Sequence, residues 1–198
     1  MIFGPQKKPT KSSCARAKKL MTIRAAGLAD AVAIAQLHTR SWQTAYRGIL
    51  SDDFLQGPLP ENRRVLWHTR LVESERADQF VLVDEQGGAI RGFACAFLEA
   101  DPEWGCLLDN LHVVPDLKGK GLGRQLMSAV AEQVWRSNPD GRLHLWVYEQ
   151  NLAARRFYER LGGVNTLRHA ELAPDATEVN VVRYCWSELS GLAGRFTT

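Results

Sequence analysis

A single mixed α/β (α+β) domain is the fold class that this 198-residue sequence predicts, on three observations. Apolar spacing is helical up to about residue 75, then changes to the alternation of strands near Gln79. Gln86-Gly87-Gly88 sits between two strand-like runs, the signal of a hairpin. From residue 108 an apolar stretch passes through a glycine- and lysine-rich turn into helical spacing, which is a strand–turn–helix unit. The length suits one domain with a full hydrophobic core.

The elements follow in order. Residues 22–25 read as a short first strand. Apolar residues at Val32, Ile34, Leu37, Trp42 and Ala45 predict a helix over 29–46, with Gly48 close behind as a stop. A second helix, with Val65, Leu66, Leu71 and Val72, is predicted over 61–75. Residues 79–84 and 89–98 form the hairpin, and Asp101-Pro102 turns the chain into a strand over 104–114. Leu122, Leu126 and Val130 carry a helix to about residue 135, ended by Asn138-Pro139-Asp140-Gly141. A buried strand at 143–148, a helix at 153–160 stopped by Gly162-Gly163, and strands near 167–172 and 179–186 complete the chain.

Composition excludes several classes. No apolar run approaches the roughly 18 residues of a membrane span. Six cations and no acid lie in residues 1–20, so the formal +3 less +6 leaves −3 for the remainder. That balance gives no case for nucleic acid binding. The basic tail reads as a disordered extension, or as residues upstream of a start at Met21. Cys14, Cys95, Cys106 and Cys185 show no metal-ligand spacing. They read as reduced thiols packed as small hydrophobes in a cytoplasmic protein, with no metal expected.

Residues 108–127, LDNLHVVPDLKGKGLGRQLM, carry the strongest chemical signal. Gly119, Gly121 and Gly123 remove side chains where backbone must approach a ligand, and Lys118, Lys120 and Arg124 add positive charge. Free N–H groups at a helix start, with the helix dipole behind them, make such a turn an anion cradle. Triphosphate loops end in Gly-Lys-Ser/Thr, whereas Gly123 is followed by Arg124 and Gln125. A dinucleotide fingerprint beginning at Gly119 requires glycine at 124, where arginine stands.

Together with LWVYEQNLAARRFYERLGG at 145–163, this run resembles the two acyl-CoA-binding motifs of the GNAT superfamily of N-acetyltransferases. The family's Gln/Arg-x-x-Gly-x-Gly/Ala is here Lys118-x-x-Gly121-x-Gly123, about 30 residues before Asn151. The resemblance covers residues 21–187 and is specific over 104–163, leaving 188–198 as a C-terminal tail. It implies the GNAT fold: a mixed, mostly antiparallel sheet of six to seven strands with helices on both faces. It implies acetyl-CoA as cofactor, with the pantetheine arm along the backbone of Leu111, His112 and Val113. The pyrophosphate would lie on the turn from Gly119 through Lys120, Gly121, Leu122 and Gly123 to Arg124, beside Lys118. Asn151 would bind the cofactor, and Tyr158 would stand beside the thioester sulfur.

The activity implied is transfer of an acetyl group to an amine of a small molecule or peptide, by direct attack in a ternary complex. A phenol of pKa about 10 is protonated at pH 7 and can give its proton to a departing thiolate. Ala154, Phe157, Tyr158 and Leu161 also fit one helical face, so packing is the other reading of Tyr158. Deprotonating a lysine-like amine at pH 7 costs roughly 4.6 kcal/mol and an α-amine roughly 1 kcal/mol, so the value of a base depends on the acceptor. Some family members carry a glutamate where this sequence has Trp146. Asp109 is the first candidate instead, because strand alternation puts it on the face of Leu107 and Leu111. His112 and Glu99 are alternatives. The acceptor wall is expected at 38–55, where Trp42, Tyr46 and Arg47 either line it or pack the helix on the sheet. A non-catalytic acyl-CoA-binding regulatory module is the rival reading, and a homodimer is common in such families.

Overall fold

The computed structural model describes residues 23–72 and 78–192. The basic tail with Cys14, Thr22, the expected helix end at 73–75 and residues 193–198 lie outside the described residues. The elements are β1 (Ile23–Ala25), α1 (Ala31–Ala45), α2 (Asp52–Gln56), α3 (Leu59–Val72), β2 (Gln79–Gln86), β3 (Ala89–Asp101) and β4 (Gly105–Val113). They continue with α4 (Leu122–Ser137), β5 (Leu143–Tyr148), α5 (Leu152–Arg160), β6 (Val164–Leu172) and β7 (Glu178–Trp186). The strands form one seven-stranded sheet in the order β1-β2-β3-β4-β5-β7-β6. Every neighbouring pair is antiparallel except β4 and β5, which are parallel.

Helices cover both faces. On one, Ala31, Ile34 and Leu37 of α1 and Trp67 and Leu71 of α3 pack on Val81, Val83, Phe93 and Cys95. On the other, Met127, Val130, Ala131 and Val134 of α4 pack with Tyr158 of α5 on Ala94, Ala96, Leu108 and Leu145. The inward faces are not those expected from the hydrophobic residues alone. Val32 stands about 200° round the helix from Ile34, and it is 60 % exposed. Val65 and Val72 of α3 are exposed too, while Trp67 is wholly buried, flanked one turn either way by Arg63 and Arg70. The α3 face turned to the protein therefore carries two arginines.

The five-residue helix α2 is the element that sequence periodicity does not reveal, being too short to repeat. Ser51 caps it, its Oγ accepting from the Phe54 N–H at 3.4 Å. The Asp175 carboxylate in the β6–β7 turn accepts from the Ser51 N–H at 2.7 Å. Phe54, Leu55 and Leu59 form a third cluster with Val179, against which Trp42, Tyr46 and Tyr148 pack.

His38 is fully buried between the α1–α3 pair and the sheet. Trp67 Nε1 donates to its Nδ1 at 2.9 Å. Its Nε2 has no hydrogen-bond partner. Burial, with nearby His112, Arg63 and Arg70, holds its pKa well below the ordinary imidazole value. His112 is likewise lowered by burial, then by Lys118 and Arg63, to about 3.

The unfolded chain takes up protons on these histidines below about pH 6.5 while the folded protein does not, so acid favours unfolding. Stability is expected to fall between pH 6.5 and 5 by about 1.4 kcal/mol per pH unit for each such ring once below its unfolded pKa. His144 is lowered by burial as well, so His38→Gln, which keeps an acceptor for Trp67, should remove one ring's share of that slope in thermal melts; an unchanged slope would show that His38 is not held neutral.

Candidate active site

β4 and β5 pair only at Cys106↔Leu143 and Leu107↔His144. Beyond those two positions the strands part. β4 stays on β3 through Leu111, His112 and Val113, and β5 stays on β7 through Tyr148. A stretch of β4 backbone is thus hydrogen-bonded on one side only. A cavity of about 700 Å³ opens there, walled by Leu111, His112 and Val113 of β4 and by α5. The backbone of Leu111, His112 and Val113 thus borders a physical gap.

The glycine turn closes one end of that gap. Pro115–Leu117 forms a single 3-10 turn, and Gly119 and Gly121 then adopt positive φ, at 76° and 89°. The first helical hydrogen bond of α4 runs from the Gln125 N–H to the Gly121 carbonyl at 3.1 Å. The N–H groups of Leu122, Gly123 and Arg124 are therefore free at the helix start. Gly123 lies under α5, where a Cβ would stand 3.3 Å from the Phe157 ring. Lys118, Gly119, Gly121, Gly123 and Arg124 all border the cavity. Two expectations change. The Lys120 N–H is spent on the Leu117 carbonyl at 3.2 Å, and Lys120 is not among the cavity-lining residues. Leu122 offers only backbone, since its side chain is buried with Val113 and Leu126.

The second motif forms the opposite wall. Asn151 caps α5, its Oδ1 accepting from the Ala154 N–H at 3.2 Å, and it borders the cavity as well. Tyr158 is 9 % exposed, with its ring against Phe157, Tyr184 and Trp186. It packs and it lines the cavity, so both readings of its sequence position hold. Its hydroxyl makes no hydrogen bond among the described residues. Burial alone pushes the phenol above its ordinary pKa, so it stays protonated. The same interior pushes the Cys95 and Cys106 thiols up to about 12, again chiefly by desolvation. A thiolate formed in this cavity would be raised in the same direction.

The base candidates fare differently. The β3–β4 register skips Asp109, passing from Ala96↔Leu108 to Cys95↔Asn110. That bulge breaks the alternation, so Asp109 and Leu111 do not share a face. Leu111 joins the cores under α4 and α5, whereas Asp109 meets α3 through Arg70, Nη1 to Oδ2 at 2.6 Å. The Asp109 carboxylate still borders the cavity. His112 borders it too, with Nδ1 2.8 Å from the Ser41 hydroxyl, but a ring lowered to about 3 is a poor proton acceptor. Glu99 is exposed, lies in the irregular stretch of β3 between Phe97 and Asp101 with φ 53°, and does not line the cavity.

Tyr46 and Trp146 line the cavity, and Trp42 does not. Trp42 packs edge-on against Tyr46, ring centroids 5.0 Å apart, with the Arg63 guanidinium 4.5 Å from its centre. Trp42 therefore supports the wall from behind. Ser41, Phe157 and Arg70 were not legible as site residues, because each acts through a partner distant in sequence: His112, Gly123 and Asp109.

Residues 34–163 match the family model described as Acetyltransferase (GNAT) family. An uncharacterized N-acetyltransferase of Bacillus subtilis, YuaI, is 28 % identical over 67 % of this chain and 74 % of its own length. The L-amino acid N-acyltransferase MnaT of Escherichia coli is 29 % identical over 74 % of this chain and 81 % of its own. Among solved structures, PaiA N-acetyltransferase of Thermoplasma acidophilum, in complex with coenzyme A, shares the fold with a TM-score of 0.63. It is 20 % identical, covering 81 % of this chain and 96 % of that one. The YncA structure of Salmonella typhimurium with its cofactor acetyl-CoA gives a TM-score of 0.59 at 20 % identity, covering 90 % and 96 %. With two-thirds of its length inside the family model and a free strand edge ending in a glycine turn, the chain belongs to the GNAT family of acetyltransferases and is an acyltransferase.

Proposed function

We propose that this protein transfers an acetyl group from acetyl-CoA to an amine of a small molecule or peptide, by direct attack in a ternary complex. The observation that carries the reading is the parted β4–β5 edge, with free helix-start N–H groups at one end and the Tyr158 hydroxyl, unpartnered among the described residues, on its wall. That coenzyme A and acetyl-CoA occupy the PaiA and YncA structures supports the choice of cofactor. The donor set fits it: N–H groups of 122–124 with Lys118 and Arg124 suit a diphosphate, and the one-sided edge at 111–113 suits an amide-bearing arm.

Acetyl-CoA supplies an activated acyl group with a sulfur leaving group. Backbone N–H in the 111–113 stretch holds the carbonyl oxygen as negative charge grows on it. Asp109 attracts the acceptor's ammonium to the other side of the gap, and a neutral amine then forms the new C–N bond. As the C–S bond breaks, Tyr158 passes its proton to sulfur. The ammonium gives one proton to solvent before attack, and the proton that nitrogen sheds afterwards returns through water to the phenolate, leaving amide, thiol and neutral Tyr158. No cysteine need be acylated; Cys95 and Cys106 are buried and held as thiols.

Thiol release over an amine panel tests the reading, and absence of both turnover and acetyl-CoA binding would overturn it. Tyr158→Phe is expected to lower kcat by about 100-fold while acetyl-CoA affinity stays within about twofold. Gly121→Val, forcing a β-branched residue to φ 89°, should cost about 1–2 kcal/mol at the turn and weaken acetyl-CoA about tenfold by calorimetry. The pH profile of kcat/KM should rise with deprotonation of the acceptor amine. It should show no inflection from His112 between pH 5 and 8, since that ring titrates at about 3. The Tyr158 descending limb should lie above the ordinary phenol value of about 10.

A further inference from the structure

Arg63 is a half-buried cation with no ion-pair partner among the described residues. It lies on the inward face of α3, two turns from Arg70. Arg70 is fully engaged, donating to Asp109 Oδ2 at 2.6 Å and to Asn110 Oδ1 at 2.8 Å. Arg63 has no such partner among the described residues. Its Nε is shielded from solvent and makes no hydrogen bond, and its guanidinium rests on the Trp42 ring at 4.5 Å. Stacking leaves the in-plane N–H groups of an arginine free to grip an anion.

Two phenols share this corner. Tyr46 lines the cavity, and Tyr148 packs on it with ring centroids 4.9 Å apart. Neither hydroxyl makes a hydrogen bond among the described residues. Both lie within electrostatic reach of Arg63, and so does Asp109. Burial raises the Tyr46 phenol and pushes Tyr148 up to about 12, so both remain donors at neutral pH. The Tyr46 hydroxyl on the cavity lining and the Arg63 and Tyr148 donors behind it, packed on Trp42 and Tyr46, thus lie at one corner, none with a hydrogen-bond partner among the described residues. Asp109 stands nearby, the one acid on the cavity lining among the described residues.

We propose that Arg63, with the hydroxyls of Tyr46 and Tyr148, binds a carboxylate of the acceptor, so that the acceptor is an amino-acid-like amine whose ammonium faces Asp109. This rests on the acetyl-transfer reading and names the class of its second substrate. Buried donors left unpaired by a neutral analogue discriminate against it more strongly than apolar contact can.

The test uses the full chain with a panel of common L-amino acids, each beside its α-carboxamide and its decarboxylated amine, with phosphoethanolamine as a further arm. Thiol release is measured with acetyl-CoA, and equilibrium binding by calorimetry on the chain with and without coenzyme A. At least one amino acid should bind and be acetylated with KM about tenfold or more below that of its carboxamide. Arg63→Met should raise that KM about 30-fold or more, with the carboxamide's KM and the acetyl-CoA affinity unmoved. Tyr148→Phe, which removes one hydroxyl and keeps the ring, should raise it about threefold to tenfold. Carboxamides or decarboxylated amines used as well as the acids, binding of phosphoethanolamine alone, amino acids that fail to bind in either state, or an Arg63→Met variant with unchanged KM would each overturn the proposal. Turnover of amines lacking a carboxylate sinks this inference only. Failure to bind acetyl-CoA or to acetylate any amine sinks the acetyl-transfer reading, and the calorimetry on the unloaded chain still decides whether Arg63 binds a carboxylate.

Discussion

The parting of β4 and β5 is the constraint on which the rest of the molecule depends. Backbone N–H and C=O groups in a sheet normally bond on both sides, and leaving one side open is costly unless something fills it. The two strands are held together by two residue pairs and no more. Neither can swing to close the gap. β5 is committed to β7 at every residue from Leu143 to Tyr148, and β4 to β3 up to Val113. The helices that follow each strand are pinned where they meet, Phe157 of α5 lying on Gly123 of α4. A glycine there lets the helices approach closely enough for both motifs to face one cavity.

Electrostatics in and behind the cavity follow a consistent pattern. His38 and His112 are kept neutral by burial. The Tyr46, Tyr148 and Tyr158 phenols are kept protonated by the same desolvation. Asp109 is paired with Arg70. Within that set Arg63 is the exception, a partly buried cation whose pKa is lowered by burial and whose Nε is unpaired. Proteins rarely bury a charge without a partner, because the desolvation cost is not recovered. An unpaired guanidinium beside two unpaired phenols is therefore a strong directional signal for an anionic ligand, more informative than any of the three alone.

Much of the fold and half of the site were legible in the residues. The glycine turn, the helix caps and the hairpin at Gly87-Gly88 are local: backbone conformation there is set by residues within a few positions of one another. The same holds for Asn151 and Tyr158, which share one helix start and one helix. Asp109 shows the limit. Alternation along β4 put it beside Leu111, and a one-residue bulge against β3 turned it toward α3. Trp42 was placed on the acceptor wall by its position on α1 but packs behind Tyr46, and Glu99 was close in sequence to the site but not in space.

What the sequence determined by itself is the chemistry that short runs encode: where backbone is bare, where helices begin, and where helix-start N–H groups and cations gather. The tertiary structure decided everything that needs two distant segments in register. It set which face of α3 turns inward, that Arg70 rather than solvent meets Asp109, and that Arg63, Tyr46 and Tyr148 share a corner. The physical reason is range. Turn and helix preferences act between neighbours along the chain, whereas a bulge, a buried ion pair or an unpaired guanidinium exists only once separate elements have packed and excluded water.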